Sequence, residues 1–229
     1  MSLTGKCIAI TGAFGSLGAA VVQAALASGA RVVAVDRADA PPQGIDLGAA
    51  ERVGGVDLAD AAQAKAAIDA AAKTLGGLDA LVNIAGTFRW ETLADGGPDT
   101  WDLLYRINLR TAIAASKAAL PHLPDGGRIV NIGAASALKA GAGMGAYAAS
   151  KSGVMRFTES LAEELKERGI TVNALLPSII DTPPNRKDMP KADFDKWVKP
   201  SQLADVIVFL LSDRASAITG ALIPVTGRV

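Results

Sequence analysis

The sequence predicts an α/β fold: a single-domain, doubly wound parallel sheet with helices on both faces. Three observations predict it. Short apolar runs rich in β-branched residues alternate with longer segments of helical periodicity along the whole chain. Strands joined through helices are linked by right-handed crossovers, which lay the strands parallel and cover both faces of the sheet. No linker-like stretch or internal repeat divides the 229 residues, so they make one domain, 1–229, with a substantial core.

The elements follow in order. The run KCIAI (6–10) is the first strand, and its Cys7, the only cysteine, reads as a buried strand residue with no disulfide partner. TGAFGSLGAAVVQAALASG supplies a glycine loop and a helix, and RVVAV (31–35) is the next strand. In DAAQAKAAIDAAAKTL (60–75), Ala64, Ile68, Ala71 and Leu75 share one helical face while Lys65 and Lys73 point to water. The alanines here supply helix propensity and close packing. ALVN (80–83), GRIVNI (127–132), ITVNALL (170–176) and ALIPV (221–225) complete the buried strands, with long helices expected around 99–120 and 147–167. The longest irregular stretches, about 85–98 and 177–200, are of a length that in a compact domain usually serves function.

Bulk properties exclude several classes. The 23 Lys and Arg balance the 23 Asp and Glu, which gives no footprint for nucleic acid or an anionic membrane and leaves a small-molecule substrate as the expected partner. With one histidine, His122, and one cysteine, a metal site has little to be built from, and His122 reads as a surface residue near a helix end. The start MSLTGK runs straight into a strand pattern, and no run of 18 apolar residues occurs, so the expected location is cytoplasmic.

Chemistry enters at the first loop. Gly12, Gly15 and Gly18 stand between a strand and a helix, where glycines let backbone approach a pyrophosphate and the helix start offers free N–H groups. The strand that follows ends in Asp36, a carboxylate placed to accept from both adenosine ribose hydroxyls and to repel a 2′-phosphate, or else to cap a loop. NAD(H) is therefore the expected cofactor, with neighbouring Arg37 keeping NADP(H) possible. At two further strand ends, Asp57 could accept from the adenine amino group and Asn83 could tie neighbouring strands together, though either also reads as a cap or turn residue. Farther on, Tyr147 and Lys151 sit four apart at the start of a helical segment, so they share a face. An ammonium beside a phenol favours the phenolate, which would bring the tyrosine nearer a useful range for proton transfer; an exposed helical pair is the plainer alternative.

TGAFGSLG, Asp36, Asp57, NIAG, Asn108 in INL, YAASK and PSIIDT occur in the order that resembles the short-chain dehydrogenases/reductases, over about residues 4–227. The resemblance implies a Rossmann-type domain and an NAD(P)-dependent oxidoreductase. Tyr147 would be the general acid/base, Lys151 its partner and ribose anchor, and Asn108 the residue that positions a relay water. A cofactor cleft would be lined by Gly12, Phe14, Gly15, Ser16, Leu17 and Gly18; by Asp36, Arg37, Asp57 and Leu58; by Asn83, Ala85 and Gly86; and by Pro177, Ile180 and Thr182. A homodimer or homotetramer built on the two long helices is also implied.

The departures are informative. The glycines run GxxGxxG instead of TGxxxGxG, and Ser178 stands after Pro177 where the family usually has glycine. The family's serine, thirteen residues before the tyrosine, is here Ala134, and Ser136 is only eleven before it. Losing one oxyanion donor typically costs on the order of 10²-fold in rate. In these respects, and in DTPPNRKDMPKADFDKW (181–197), the chain resembles the quinonoid dihydropteridine reductases, which reduce a conjugated C=N system with no localised alkoxide. Phe88, Trp90 or Trp197 could then stack on a flat ring, while Trp101 reads as a core or interface residue. Three functions stay open: a C=O/CH–OH oxidoreductase with Ser136 or the cofactor ribose covering for the absent donor, a pteridine-type C=N reductase, and a non-catalytic NAD-binding regulatory protein.

Overall fold

The computed structural model describes residues 1–229. Seven strands form one wholly parallel sheet in the order β3-β2-β1-β4-β5-β6-β7. They are β1 (Cys7–Thr11), β2 (Arg31–Val35), β3 (Glu51–Val53), β4 (Ala80–Asn83), β5 (Arg128–Ile132), β6 (Thr171–Pro177) and β7 (Leu222–Val225). The order reverses direction between β1 and β4, the switch point at which doubly wound sheets open a crevice beyond the strand carboxyl ends.

Helices α1 (Ser16–Ala27) and α7 (Pro200–Leu211) cover one face, where Val21, Val22, Leu203 and Ile207 join Ile8, Ile10 and Val32 in one apolar cluster. The other face carries α2 (Ala61–Leu75), α4 (Thr111–Ala119) and α5 (Gly145–Glu164), which bury Ile68, Ala115 and Leu161 against Ala9, Val33, Leu81 and Ile129. Ala64, Ile68, Ala71 and Leu75 are all buried, and Lys65 and Lys73 are exposed. Asp60 caps α2 by accepting from the N–H groups of Ala62 and Gln63, and Gly76 closes it in the left-handed region at φ 76°. The helix expected around 99–120 is interrupted: α3 (Pro98–Leu104) passes into a π-helical turn, Tyr105–Arg110, before α4.

Two elements escaped the sequence pattern. β3 is a three-residue edge strand, ERV, too short and too polar to show an apolar alternation. Residues 177–200 hold a short helix, α6 (Pro183–Asp188), set by Thr182 at its N-cap and prolines at its first positions. Between β2 and β3 the chain makes no helix; Leu47 and Ala50 tuck that crossover into the α1 cluster. Cys7 is buried, and His122 Nε2 lies 2.7 Å from Asp69 Oδ1 on α2. No helix is long and apolar enough to cross a membrane, and no group of three or more His, Cys, Asp or Glu could hold a metal.

Candidate active site

The carboxyl ends of β1, β4, β5 and β6 meet in one crevice. The strands that end there carry a buried polar network where an apolar strand pattern would suggest none. Asn83 Nδ2 donates to Ser116 Oγ (3.0 Å) and to Asn131 Oδ1 (2.9 Å), and Asn131 Nδ2 donates to Thr158 Oγ1 (2.9 Å), all four side chains being buried. Asn83 thus ties β4 to β5 and both strands to α4 and α5.

The glycine loop is built for close approach. Gly12 has φ 64°, and a Cβ there would lie 2.6 Å from the Ala85 backbone nitrogen, so only glycine lets the first loop pass against the loop after β4. A Cβ on Gly18 would run into the Gly12 carbonyl, which fixes how tightly α1 packs on its loop. Gly15 is the N-cap of α1 and supplies no side-chain cap, leaving the first N–H groups of the helix without one. Asp36 Oδ2 accepts from Phe14 N–H (2.9 Å) and its Oδ1 from Ala38 N–H (3.0 Å), so the carboxylate is clamped at the end of β2. Phe14, Leu17 and Leu58 bury their side chains in the core, so any part they take in a cofactor site falls to their backbone; Ser16 is half-buried and Arg37 exposed. This cradle of backbone and a fixed carboxylate fits a dinucleotide.

Asp57 is less free than its sequence position suggests. Its Oδ1 accepts from Ala59 N–H (3.0 Å), and its Oδ2 pairs with the Arg106 guanidinium. After β6, the Pro177 and Ile180 backbone leads to Thr182, whose hydroxyl accepts from Asn185 N–H (3.4 Å), while Asn185 Nδ2 donates to the Ile180 carbonyl (2.8 Å). Ser178 donates to the Thr226 carbonyl (2.8 Å) and pins the C-terminal segment beneath this loop.

Lys151 and Asn108 converge beside Gly86, and Ser150 links Asn108 to the Tyr147 backbone. Lys151 is buried and donates to the Ile132 carbonyl (2.8 Å). A Cβ at Gly86 would sit 3.0 Å from Asn108 Oδ1 and 3.3 Å from Lys151 Nζ, so these groups crowd one point on the loop after β4. Asn108 Oδ1 accepts from Thr87 N–H (2.7 Å), its Nδ2 donates to Ser150 Oγ (2.9 Å), and Ser150 in turn donates to the Tyr147 carbonyl (2.7 Å). Ser150 was not anticipated; its place three residues after Tyr147, on the same helical face, was the available signal. Phe88 packs edge-on against the Tyr147 ring at 4.9 Å.

The electrostatics depart from the sequence expectation. Burial pushes the Tyr147 phenol up to about 12 and brings Lys151 down to about 8. No hydrogen bond joins the two: the ammonium turns to the Ile132 carbonyl, and burial disfavours both charged forms. Tyr147 therefore stands protonated across the neutral range.

Ala134 is buried in extended backbone just beyond β5, whereas Ser136 lies two residues on, half-buried in the 3-10 turn Ala135–Ala137, with no hydrogen-bond partner. Of the three aromatics considered for a flat ring, Trp197 is corrected: it is buried against Phe194 at 4.8 Å and offers no face. Phe88 and Trp90 are both more than half exposed, and Trp90 Nε1 donates to the Ala142 carbonyl (3.0 Å) in the loop that enters α5.

Sheet order and glycine cradle together define a Rossmann-type dinucleotide-binding domain. A family model described as Enoyl-(Acyl carrier protein) reductase matches residues 12–227. A 2-(S)-hydroxypropyl-CoM dehydrogenase of Xanthobacter autotrophicus is 33% identical over 254 aligned residues, covering 98% of this chain and 96% of that protein. Among solved structures, a 3-ketoacyl-(acyl-carrier-protein) reductase from Brucella melitensis complexed with NADH superposes with a TM-score of 0.88 at 30% identity, covering 99% of both chains. A short chain dehydrogenase from Burkholderia cenocepacia in complex with NADP gives 0.87 at 32% identity, over 99% of this chain and 98% of that one. The chain belongs to the short-chain dehydrogenase/reductase family, whose members are NAD(P)-dependent oxidoreductases.

Proposed function

We propose that this protein transfers a hydride between a nicotinamide cofactor and a C=O/CH–OH or conjugated C=N substrate, with Tyr147 as the proton donor. The observation that carries the reading is Tyr147 and buried Lys151 one turn apart on α5, which Asn108 holds through Ser150 to the Tyr147 carbonyl. When bound, the reduced cofactor supplies the hydride. The chain's own residues do the rest. Tyr147 gives its phenolic proton to the reduced atom, Lys151 holds the cofactor ribose and favours return of a proton, and Asn108 keeps the loop after β4 against α5. An intact set of this kind argues against a non-catalytic regulatory role.

The clamped Asp36 supports NADH over NADPH, because a 2′-phosphate would meet a carboxylate that cannot swing away. NADH is expected to bind about a hundredfold more tightly than NADPH, and Asp36→Asn to erase most of that ratio. Equal affinities in titrations of the wild-type protein would remove Asp36 from this role.

Names of the relatives favour a carbonyl or alcohol substrate. The buried methyl of Ala134 favours the second reading, C=N reduction, in which no localised alkoxide needs a hydroxyl donor. The deciding experiment follows NADH oxidation with a quinonoid dihydropterin beside a panel of ketones and 3-oxoacyl thioesters. Should ketones be the substrates, Ala134→Ser is expected to speed their reduction by about 10²-fold. An unchanged or slower rate would show that another group already serves the oxyanion. Exposed Trp101 and Tyr105, one turn apart on α3 and the π-helical turn, support the expected homodimer or homotetramer.

A further inference from the structure

The π-helical turn Tyr105–Arg110 reaches two ends of the crevice at once. Arg106 pairs with Asp57 Oδ2, and Arg110 Nε, four residues on, donates to the Ala59 carbonyl (2.8 Å), so one face of the turn grips the loop between β3 and α2. Asn108, between them and half a turn away, is buried and holds Thr87 N–H and Ser150 Oγ. The Arg106 side chain is more than half exposed, and such an ion pair contributes little to stability. What it does is orient: with Ala59 N–H on one carboxylate oxygen and the guanidinium on the other, Asp57 is fixed in direction. A π turn is a local departure from the α register, concentrated in proteins at functional sites, and here it carries Arg106, Asn108 and Arg110 on six consecutive residues.

We propose that Arg106 is a positioning residue that couples adenine recognition at Asp57 to the packing of Asn108 against Thr87 and Ser150, beside Tyr147. The proposal rests on the cofactor reading above. An adenine amino group bound to Asp57 adds a third restraint to the carboxylate already held by Ala59 N–H and Arg106, the guanidinium passes that restraint to the turn, and the turn holds Asn108.

The test compares NADH with reduced nicotinamide hypoxanthine dinucleotide, which lacks the adenine amino group. Binding is followed by protein fluorescence, and the readout is hydrogen exchange of the Thr87 amide with each cofactor at saturation, in wild type, Arg106→Ala and Arg106→Lys. In wild type, NADH is expected to slow Thr87 exchange about tenfold more than the analogue does. Arg106→Ala should still bind NADH but show equal slowing with both, and Arg106→Lys should restore part of the difference. Equal slowing in wild type, or a difference kept in Arg106→Ala, overturns the inference and leaves the functional reading standing. A wild-type protein that does not bind NADH overturns both.

Discussion

Tyr147→Phe is expected to lower turnover by about 10²–10⁴-fold, the usual contribution of a positioned acid/base group, while NADH binding persists. The structure makes this a clean substitution. The phenol oxygen has no hydrogen-bond partner in the chain, so its removal orphans nothing, and the edge-on contact with Phe88 at 4.9 Å belongs to the ring that remains. Loss of fold is therefore not expected to mimic loss of chemistry. Steady-state rates with the best substrate of the panel, set beside fluorescence titration with NADH, check the result. A variant that retains wild-type turnover removes Tyr147 from the proton-transfer role.

Lys151→Met is expected to inactivate the protein and, at pH 7, to stabilise it. Lys151 is buried and its folded value lies near 8, below the ordinary 10.5. The unfolded chain thus binds the proton more tightly, and below about pH 8 the folded state bears a buried ammonium at a cost of about 3 kcal/mol. Stability contributed by this residue rises as pH climbs from about 8 to 10.5, since protons are then carried by the unfolded state and not the folded one. Removing the ammonium relieves that cost, offset by about 1 kcal/mol for the lost bond to the Ile132 carbonyl. The net gain of about 2 kcal/mol corresponds to a rise of roughly 4–8 °C in Tm for a chain of this size. Thermal unfolding of both forms at pH 7 and pH 10 checks the sign: the advantage of the variant should shrink at the higher pH. A lower Tm at pH 7 would show that the ammonium is satisfied by its surroundings.

The parallel sheet was legible because its six longer strands are apolar runs separated by helical periodicity. β3 was not, since a three-residue edge strand has neither the length nor the burial to leave a pattern. Tyr147, Lys151 and Asp36 were legible as spacing and as strand-end position. Their environment was not: burial alone shifts Tyr147 upward, with Phe88 packed on its ring, and the Lys151 ammonium points to the Ile132 carbonyl, partners that the spacing of the two residues does not reveal. Trp197 shows the same limit, because an aromatic in a loop reads alike whether its face is open or, as here, covered by Phe194.

The buried polar network joining Ser116, Asn83, Asn131 and Thr158 has a consequence for how the chain reaches its native state. Sliding β4 along β5 by a single residue would turn Asn83 and Asn131 to opposite faces and leave amide groups stranded in the apolar core, at about 1–3 kcal/mol for each orphaned group. Mispairing is thereby penalised at the β4–β5 seam, next to the switch point between β1 and β4. The asparagines work as a combination lock, which lets the crevice open only on a correctly aligned sheet.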